Sequence, residues 1–390
     1  MGQAKKHYEQ RLWDESQLEN DKYVCNDHIN DDAIRTFIIE YSEKGICSYC
    51  SRKTQVALVK DVIKFIKGGI FHFYGDANDE GVSYESEEGG YYGAATYDTD
   101  EMLEDAGLEV DNDLLRKDIF HAFGYNTWCD KDPYADRENV ELSYNWKEFK
   151  QVVKHRSRYV FLGSKQFQTG TKSLPVDEIL NDIGRRIDDL DLFKWLCPGT
   201  ILYRCRQHSI AEVLTSAKQL TSPPDDKAIF PNRMSPAGIS MFYCAFDKRT
   251  CHLETVDPSN ISKEKVTTGV FKNKKQLYLL DLTNLPELPS IFDPKRRKHY
   301  YSIVFLHDFV RDLTQPVSKD GRQHIDYVPT QIVTEYFRYT YTDLTGASID
   351  GIQYPSSKID GKNACVLFYD HPQSVDALDF HQSMLVVEDV

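Results

Sequence analysis

A chain of 390 residues, 41% of them hydrophobic, is long enough for two domains that each bury a sizeable core. With 61 acidic against 47 basic residues the net charge is −14, which excludes bulk electrostatic binding to nucleic acid or anionic lipid, so any anionic ligand must be held by locally placed arginines. No apolar run approaches the roughly 18–20 residues of a membrane span, and the charged stretch MGQAKKHYEQRLWDESQ lacks the apolar core of a secretory signal, so a soluble cytoplasmic protein is expected.

Nine cysteines do not read as a disulfide framework, and reduced thiols are expected for most of them. The exception is the pairing of Cys25-x2-His28 with Cys47-x2-Cys50 across eighteen intervening residues. Each pair can grip one side of a tetrahedral ion, which predicts a structural zinc with no coordination position left open for catalysis. Next, DDAIRTFIIEYSEK places Ile34, Phe37, Ile38 and Tyr41 at helical spacing, and TQVALVKDVIKFIKGG repeats the pattern with Val59, Val62, Ile63 and Ile66. Gly68 and Gly69 are expected to stop that second helix before the apolar FHFY stretch. From about Asp76 to Asp111 the chain is acidic and glycine-bearing, and its interleaved aromatics predict an ordered loop.

The stretch from Ser157 to Leu196 runs from a short apolar strand around Val160 and Phe161 through a polar loop into a periodic helix, and the domain boundary is placed here, between residues 175 and 176. Downstream, ILYRCR, MFYCAF, QLYLLDL, ACVLFY and MLVVED read as strands separated by turns and a few helices. The expectation is an α+β protein: a mostly helical zinc module over residues 1–175, then an α+β domain over 176–390.

Four fragments of the second half read together: ILYRCR, PNRMSPAGISMFYCAFDKRTCHLETV, VPTQIVTEYF and SIDGIQYPSSKIDGKNACVLF. Their order resembles the RES domain, which is named for an arginine, a glutamate and a serine. The resemblance implies an ADP-ribosyltransferase-like fold and consumption of NAD by cleavage of its nicotinamide–ribose bond. Carried over residue by residue, it points to Arg204, Arg233, Tyr243, Glu254 and Ser356.

Those residue types suit the chemistry on independent grounds. Nicotinamide leaves its ribose as a neutral molecule and needs no acid, so one carboxylate, Glu254, suffices to meet the positive charge that develops on the sugar. Arg204 and Arg233 suit a pyrophosphate, Tyr243 offers a π face to the cationic ring, and Ser356 a hydrogen bond to a ribose hydroxyl or the amide. Taken singly, each has a plainer role: Glu254 as a solvated charge near the start of a helix capped by Thr250, Tyr243 as a core aromatic, Ser356 as a turn residue after Pro355. Arg206, Tyr203 and Ser357 rank below the five. No Gly-x-Gly-x-x-Gly opens a helix after a strand, which disfavours a redox dehydrogenase.

Residues from about Tyr23 to Phe161 resemble the HEPN/RES N-terminal domain, through VCNDHINDDAIRTFI, GICSYC, SYESEEGGYYGAATYDTDEMLEDAGLEV and ELSYNWKEF. The combination implies a bacterial toxin-like NAD glycohydrolase or phosphorylase, with an antitoxin or other inhibitor protein as partner and no membrane or nucleic-acid ligand. The alternatives are a protein ADP-ribosyltransferase, a regulatory or sensor protein with a silent RES domain, and a HEPN-type ribonuclease using Arg116 and His121. Against the last, chance supplies an Arg-x4-His spacing readily, and five residues along a helix turn the two side chains about 140° apart.

Overall fold

The computed structural model describes residues 21–87, 89–160, 175, 178–317 and 321–390. Tertiary contacts divide the chain into two compact units. One runs to Glu138 and takes in Glu287–Tyr301; the other comprises Asn139–Pro286 and Ser302–Val390.

In the first unit, β1 (Tyr23–Val24) is followed by α1 (Asp32–Glu40), which starts where the Asp31 side chain accepts the Ile34 N–H. A hairpin of β2 (Glu43–Ile46) and β3 (Lys53–Leu58) pairs with β1 in the order β1-β3-β2. After α2 (Val59–Phe73) come β4 (Tyr74–Asp76), β5 (Ser83–Glu85), β6 (Gly90–Tyr92), α3 (Thr99–Asp105), α4 (Asp113–Phe123) and β7 (Trp128–Asp130). Strands β4 and β7 form one ribbon, β5 and β6 another.

The predicted helical faces are real: Ile34, Ile38, Val59, Val62, Ile63 and Ile66 are buried in one cluster, with Phe37 packed against it. Tyr41 is the exception and is exposed. Three expectations are corrected. The second helix begins at Val59, because Thr54, Gln55 and Val56 are taken up in the ladder with β2. Gly68 and Gly69 do not end it: the helix runs on to Phe73, and a Cβ at Gly69 would lie 2.5 Å from the Phe292 ring, so glycine there serves close packing. The acidic stretch is more than a loop, since it holds the β5–β6 hairpin and α3, whose start carries a capping box between Asp98 and Glu101. The unit is therefore mixed, not mostly helical.

In the second unit, α5 (Glu138–His155) and α6 (Glu178–Asp189) precede β8 (Phe193–Leu196), β9 (Ile201–His208), β10 (Phe242–Ala245), α7 (Lys248–Thr255), β11 (Lys265–Asn273) and β12 (Leu277–Asp281). Then come α8 (Tyr300–Thr314), α9 (Val328–Tyr339), β13 (Gly351–Pro355), β14 (Asn363–Leu367), α10 (His371–Ala377), β15 (Leu378–Phe380) and β16 (Val386–Asp389). Nine strands make one sheet in the order β15-β11-β9-β10-β14-β13-β12-β8, with β16 also on β11. Among the described residues only β12 and β13 pair in parallel. Side chains alternate between its faces as strand geometry demands. Ala364 and Val366 of β14 join a core with Phe149, Ile183, Phe305 and Phe337 of α5, α6, α8 and α9, whereas Cys365 and Leu367 join the opposite cluster with Phe242 and Phe271. No helix among the described residues is long and apolar enough to cross a membrane.

The five expected strands of this half appear, and β8, β11, β13 and β15 complete the sheet. The expected strand at Val160 and Phe161 falls partly outside the described residues, and Val160 itself lies in no strand. Compactness groups α5 with the second unit, because its Leu142, Trp146, Phe149, Val152 and Val153 are buried with the large sheet's helices.

Strand β13 carries the chain into the Ser356 loop, and its first residue must be glycine. A Cβ on Gly351 would lie 2.3 Å from the Val366 carbonyl oxygen. Gly351→Ala is expected to destabilise the second unit by about 1–3 kcal/mol, seen as a lower denaturation midpoint with unchanged slope. An unshifted midpoint would mean that β13 and β14 can part at no cost.

Candidate active site and metal centre

Both ligand pairs of the expected metal site are brought together by the small sheet of the first unit. Cys25 directly follows β1, His28 lies one turn on, and Cys47 and Cys50 sit in the hairpin between β2 and β3, where Ser51 adopts φ 58° and its N–H returns to the Cys47 carbonyl. The Sγ atoms and one imidazole nitrogen all lie within 4.8 Å of one another. Cys25 Sγ and Cys50 Sγ are 3.8 Å apart, the separation of ~3.8 Å expected for two thiolates on one tetrahedral ion with bonds of about 2.3 Å.

His28 is buried and its Nε2 has no hydrogen-bond partner, while Nδ1 lies 3.2 Å from Asp111 Oδ1. One nitrogen turned to an ion and the other held by a carboxylate is the usual arrangement of a metal-ligating histidine. Burial pushes the Cys25 thiol up to about 12, and the Arg52 hydrogen bond brings Cys50 down to about 6. Cys50 is thus the thiol most ready to ligate. The donor set of three sulfurs and one imidazole fits a metal ion held for structure.

In the second unit the expected active-site residues converge on the sheet. Strand β9 shares eight registered pairs with β11 but one with β10, Ala245 with Tyr203. Beside that seam Arg204 Nη1 donates to the Tyr243 carbonyl at 2.8 Å, and its guanidinium lies 5.1 Å from the Phe242 ring centre. Burial lowers the Arg204 pKa, yet a guanidinium stays charged. Arg206, two residues on and so on the same side of the strand, is engaged by Glu212 Oε1 at 2.7 Å and the Gln219 carbonyl at 3.0 Å.

Tyr243 is fixed through its phenol, which accepts the Met234 N–H and meets Ser235 Oγ at 2.9 Å. Burial pushes that phenol up to about 12, against the pull of Ser235, Met234 and the two arginines. Arg233 Nη1 donates to the carbonyls of Leu313 and Gln315, and its Nη2 comes within 3.5 Å of Ser357 Oγ.

Glu254 lies in the last turn of α7. The expected cap at Thr250 is corrected: Asp247 is the N-cap, because its carboxylate accepts both the Thr250 N–H and its hydroxyl. Glu254 therefore faces the negative end of the helix dipole instead of the positive one. Two donors from the loop after β13 hold it there: Ser356 Oγ at 2.5 Å and the Ser357 N–H at 3.1 Å, both on Oε1.

Residues 40–167 match HEPN/RES N-terminal domain 1, and residues 201–384 match the RES domain. The chain carries a RES domain. Comparison with curated proteins finds no match to it.

All five expected residues fall within the RES match, as do Tyr354 and Gln331, which the sequence did not single out, and Ser357, which ranked below the five. Tyr354, inside the quoted SIDGIQYPSSKIDGKNACVLF fragment, is buried; burial raises its phenol well above the ordinary value, and its neighbours Tyr243 and Glu254 add to the rise. Gln331 on α9 is also buried and donates to the carbonyls of Asn232 and Ser235, bracing the Arg233 turn. Ser357 joins Arg233 to Glu254. A glutamine among the apolar residues of VPTQIVTEYF was the readable signal for one of them. On the N-terminal side, Arg116 Nη2 is bonded to the Val110 carbonyl, and His121 is exposed beside Phe120 on the same helix, α4.

Proposed function

We propose that this protein cleaves the nicotinamide–ribose bond of NAD, as a glycohydrolase or phosphorylase with a toxin-like role. The observation that carries the reading is the Glu254 carboxylate, held against its own helix dipole by Ser356 and Ser357 and linked through Ser357 to Arg233. A carboxylate so fixed meets the oxocarbenium-like charge without having to reorganise. Arg204 and Arg233 bind the diphosphate; Tyr243 turns its ring to the nicotinamide. Ser356 acts first as a positioning residue, since its hydroxyl donates to Glu254. An ADP-ribosyltransferase-like fold goes with this reading, supported by the single registered pair that joins β9 to β10 within the sheet.

The cluster of Cys25, His28, Cys47 and Cys50 is assigned one structural zinc. The functional division is a zinc module over residues 1–175 and the RES domain over 176–390, a boundary lying between the two family matches. A cell making such an enzyme needs an inhibitor protein.

Purified protein mixed with NAD is expected to release free nicotinamide in step with NAD loss. Chromatography with and without phosphate, beside mass spectrometry of the protein, identifies the acceptor. Free ADP-ribose means hydrolysis, its 1-phosphate phosphorolysis, and a protein adduct transfer. Folded protein that leaves NAD untouched, yet cuts RNA in a manner dependent on Arg116 and His121, would establish the ribonuclease in its place.

A further inference from the structure

The second unit contains a cavity of about 360 Å3 whose walls come from two different family matches. Trp146, Lys150 and Lys154 of α5 belong to the stretch matched by the N-terminal domain, and Arg233 to the RES match. Spacing of four along a helix sets the three α5 residues in one stripe. The cavity is charged against the trend of the chain. Lys150, Lys154 and Arg233 stand with Asp312 and Asp326 in its wall, within a protein of net charge −14.

Each lysine is held in place by one carboxylate: Lys150 Nζ lies 2.8 Å from Asp312 Oδ2, and Lys154 Nζ 2.9 Å from Asp326 Oδ1. An ammonium has three donors, so each keeps hydrogen-bonding capacity beyond that contact. Trp146 Nε1 donates to the same Asp312 oxygen at 2.7 Å and steadies the arrangement. Arg233 connects the cavity to the reacting centre, because its Nη2 reaches Ser357, whose N–H is bonded to Glu254.

We infer that this cavity extends the diphosphate subsite assigned to Arg204 and Arg233, and that Lys150 and Lys154 are specificity-determining residues supplied to the RES domain by a helix outside its family match. The inference rests on the NAD reading of the Glu254 site. A dinucleotide diphosphate carries two negative charges, which the donors that Lys150 and Lys154 keep beyond Asp312 and Asp326 can meet. Water exclusion on binding strengthens those charge-assisted bonds. Placing the diphosphate beside Arg233 leaves the nicotinamide ribose to extend toward Glu254.

The test titrates ADP into the full chain by calorimetry and follows nicotinamide release with NAD. Lys150→Ala/Lys154→Ala is expected to weaken ADP binding by about tenfold or more, and to raise KM for NAD with kcat little changed, because ground-state binding is lost. Asp326→Asn, which keeps the shape and removes a negative charge, is expected to tighten ADP. In the wild type ADP competes with NAD. Equal ADP affinity in wild type and a folded double-lysine variant overturns the inference. So does an Asp326→Asn protein that binds ADP no more tightly, and so does ADP inhibition that NAD cannot relieve, which would mark an effector site. If NAD is never cleaved while ADP binding still depends on both lysines, the reaction assigned to Glu254 fails and the diphosphate site stands.

Discussion

Glu254→Gln should lower nicotinamide release from NAD by about 10²–10³-fold while leaving the melting temperature close to wild type. The amide keeps the size of the carboxylate and an oxygen to accept from Ser356 and the Ser357 N–H, so the loop after β13 retains its anchor. What disappears is the negative charge proposed to face the ribose as the nicotinamide departs. Glu254→Ala should lose as much activity. Arg204→Ala should behave differently: its guanidinium spans from β9 to the Tyr243 carbonyl and is assigned to the diphosphate, so both KM and rate should suffer. Wild-type turnover in Glu254→Gln would remove the carboxylate from the mechanism altogether. Equal losses of rate with an unaltered KM in both variants would instead place Arg204 among the groups that act only in the transition state.

Metal analysis of protein purified without chelator should find one zinc per chain, and Cys47→Ser should lower the unfolding temperature of the first unit by about 10 °C or more. Structural zinc contributes about 10–16 kcal/mol to small zinc-finger peptides, an upper bound here because Val24, Ile29, Ile34 and Ile63 share an apolar core that does not need the ion. The loss arises from the hairpin of β2 and β3, whose six-residue loop Cys47–Arg52 is closed by two backbone bonds, Ser51 N to Cys47 O and Cys47 N to Arg52 O. Less than about a tenth of an equivalent of zinc, or a Cys47→Ser protein with an unaltered transition, would leave three ordinary buried side chains and a half-buried Cys50 in its place. Nicotinamide release per folded molecule should be unaffected by the substitution, since the cluster and Glu254 belong to different compact units.

Short-range features of the chain were legible before any fold was known. The x2 spacings of Cys25 with His28 and of Cys47 with Cys50 identify two ligand pairs, because residues three apart in a tight turn can reach one ion. The 3.6-residue recurrence of Ile34 and Ile38, and of Val59, Ile63 and Ile66, marks buried helical faces that the structure contains. The order of the Arg, Tyr, Glu and Ser fragments was likewise enough to expect a RES domain. Tertiary contact decided the rest. Gly68 and Gly69 read as a helix stop, but the chain passes through them as helix because Phe292, more than two hundred positions away in sequence, packs where a Cβ would stand. Thr54–Val56 continue an amphipathic pattern, yet pairing with β2 claims them as strand. Thr250 and Asp247 are both good caps, and only the path of the chain into α7 chose between them and set Glu254 at the helix's negative end. Lys150 and Lys154 carry no local sign of a site; they join Arg233 because the apolar face of α5 is buried against the large sheet's helices. Spacing and periodicity record what a residue's own neighbours require, whereas which surface a side chain serves depends on contacts that long loops bring together.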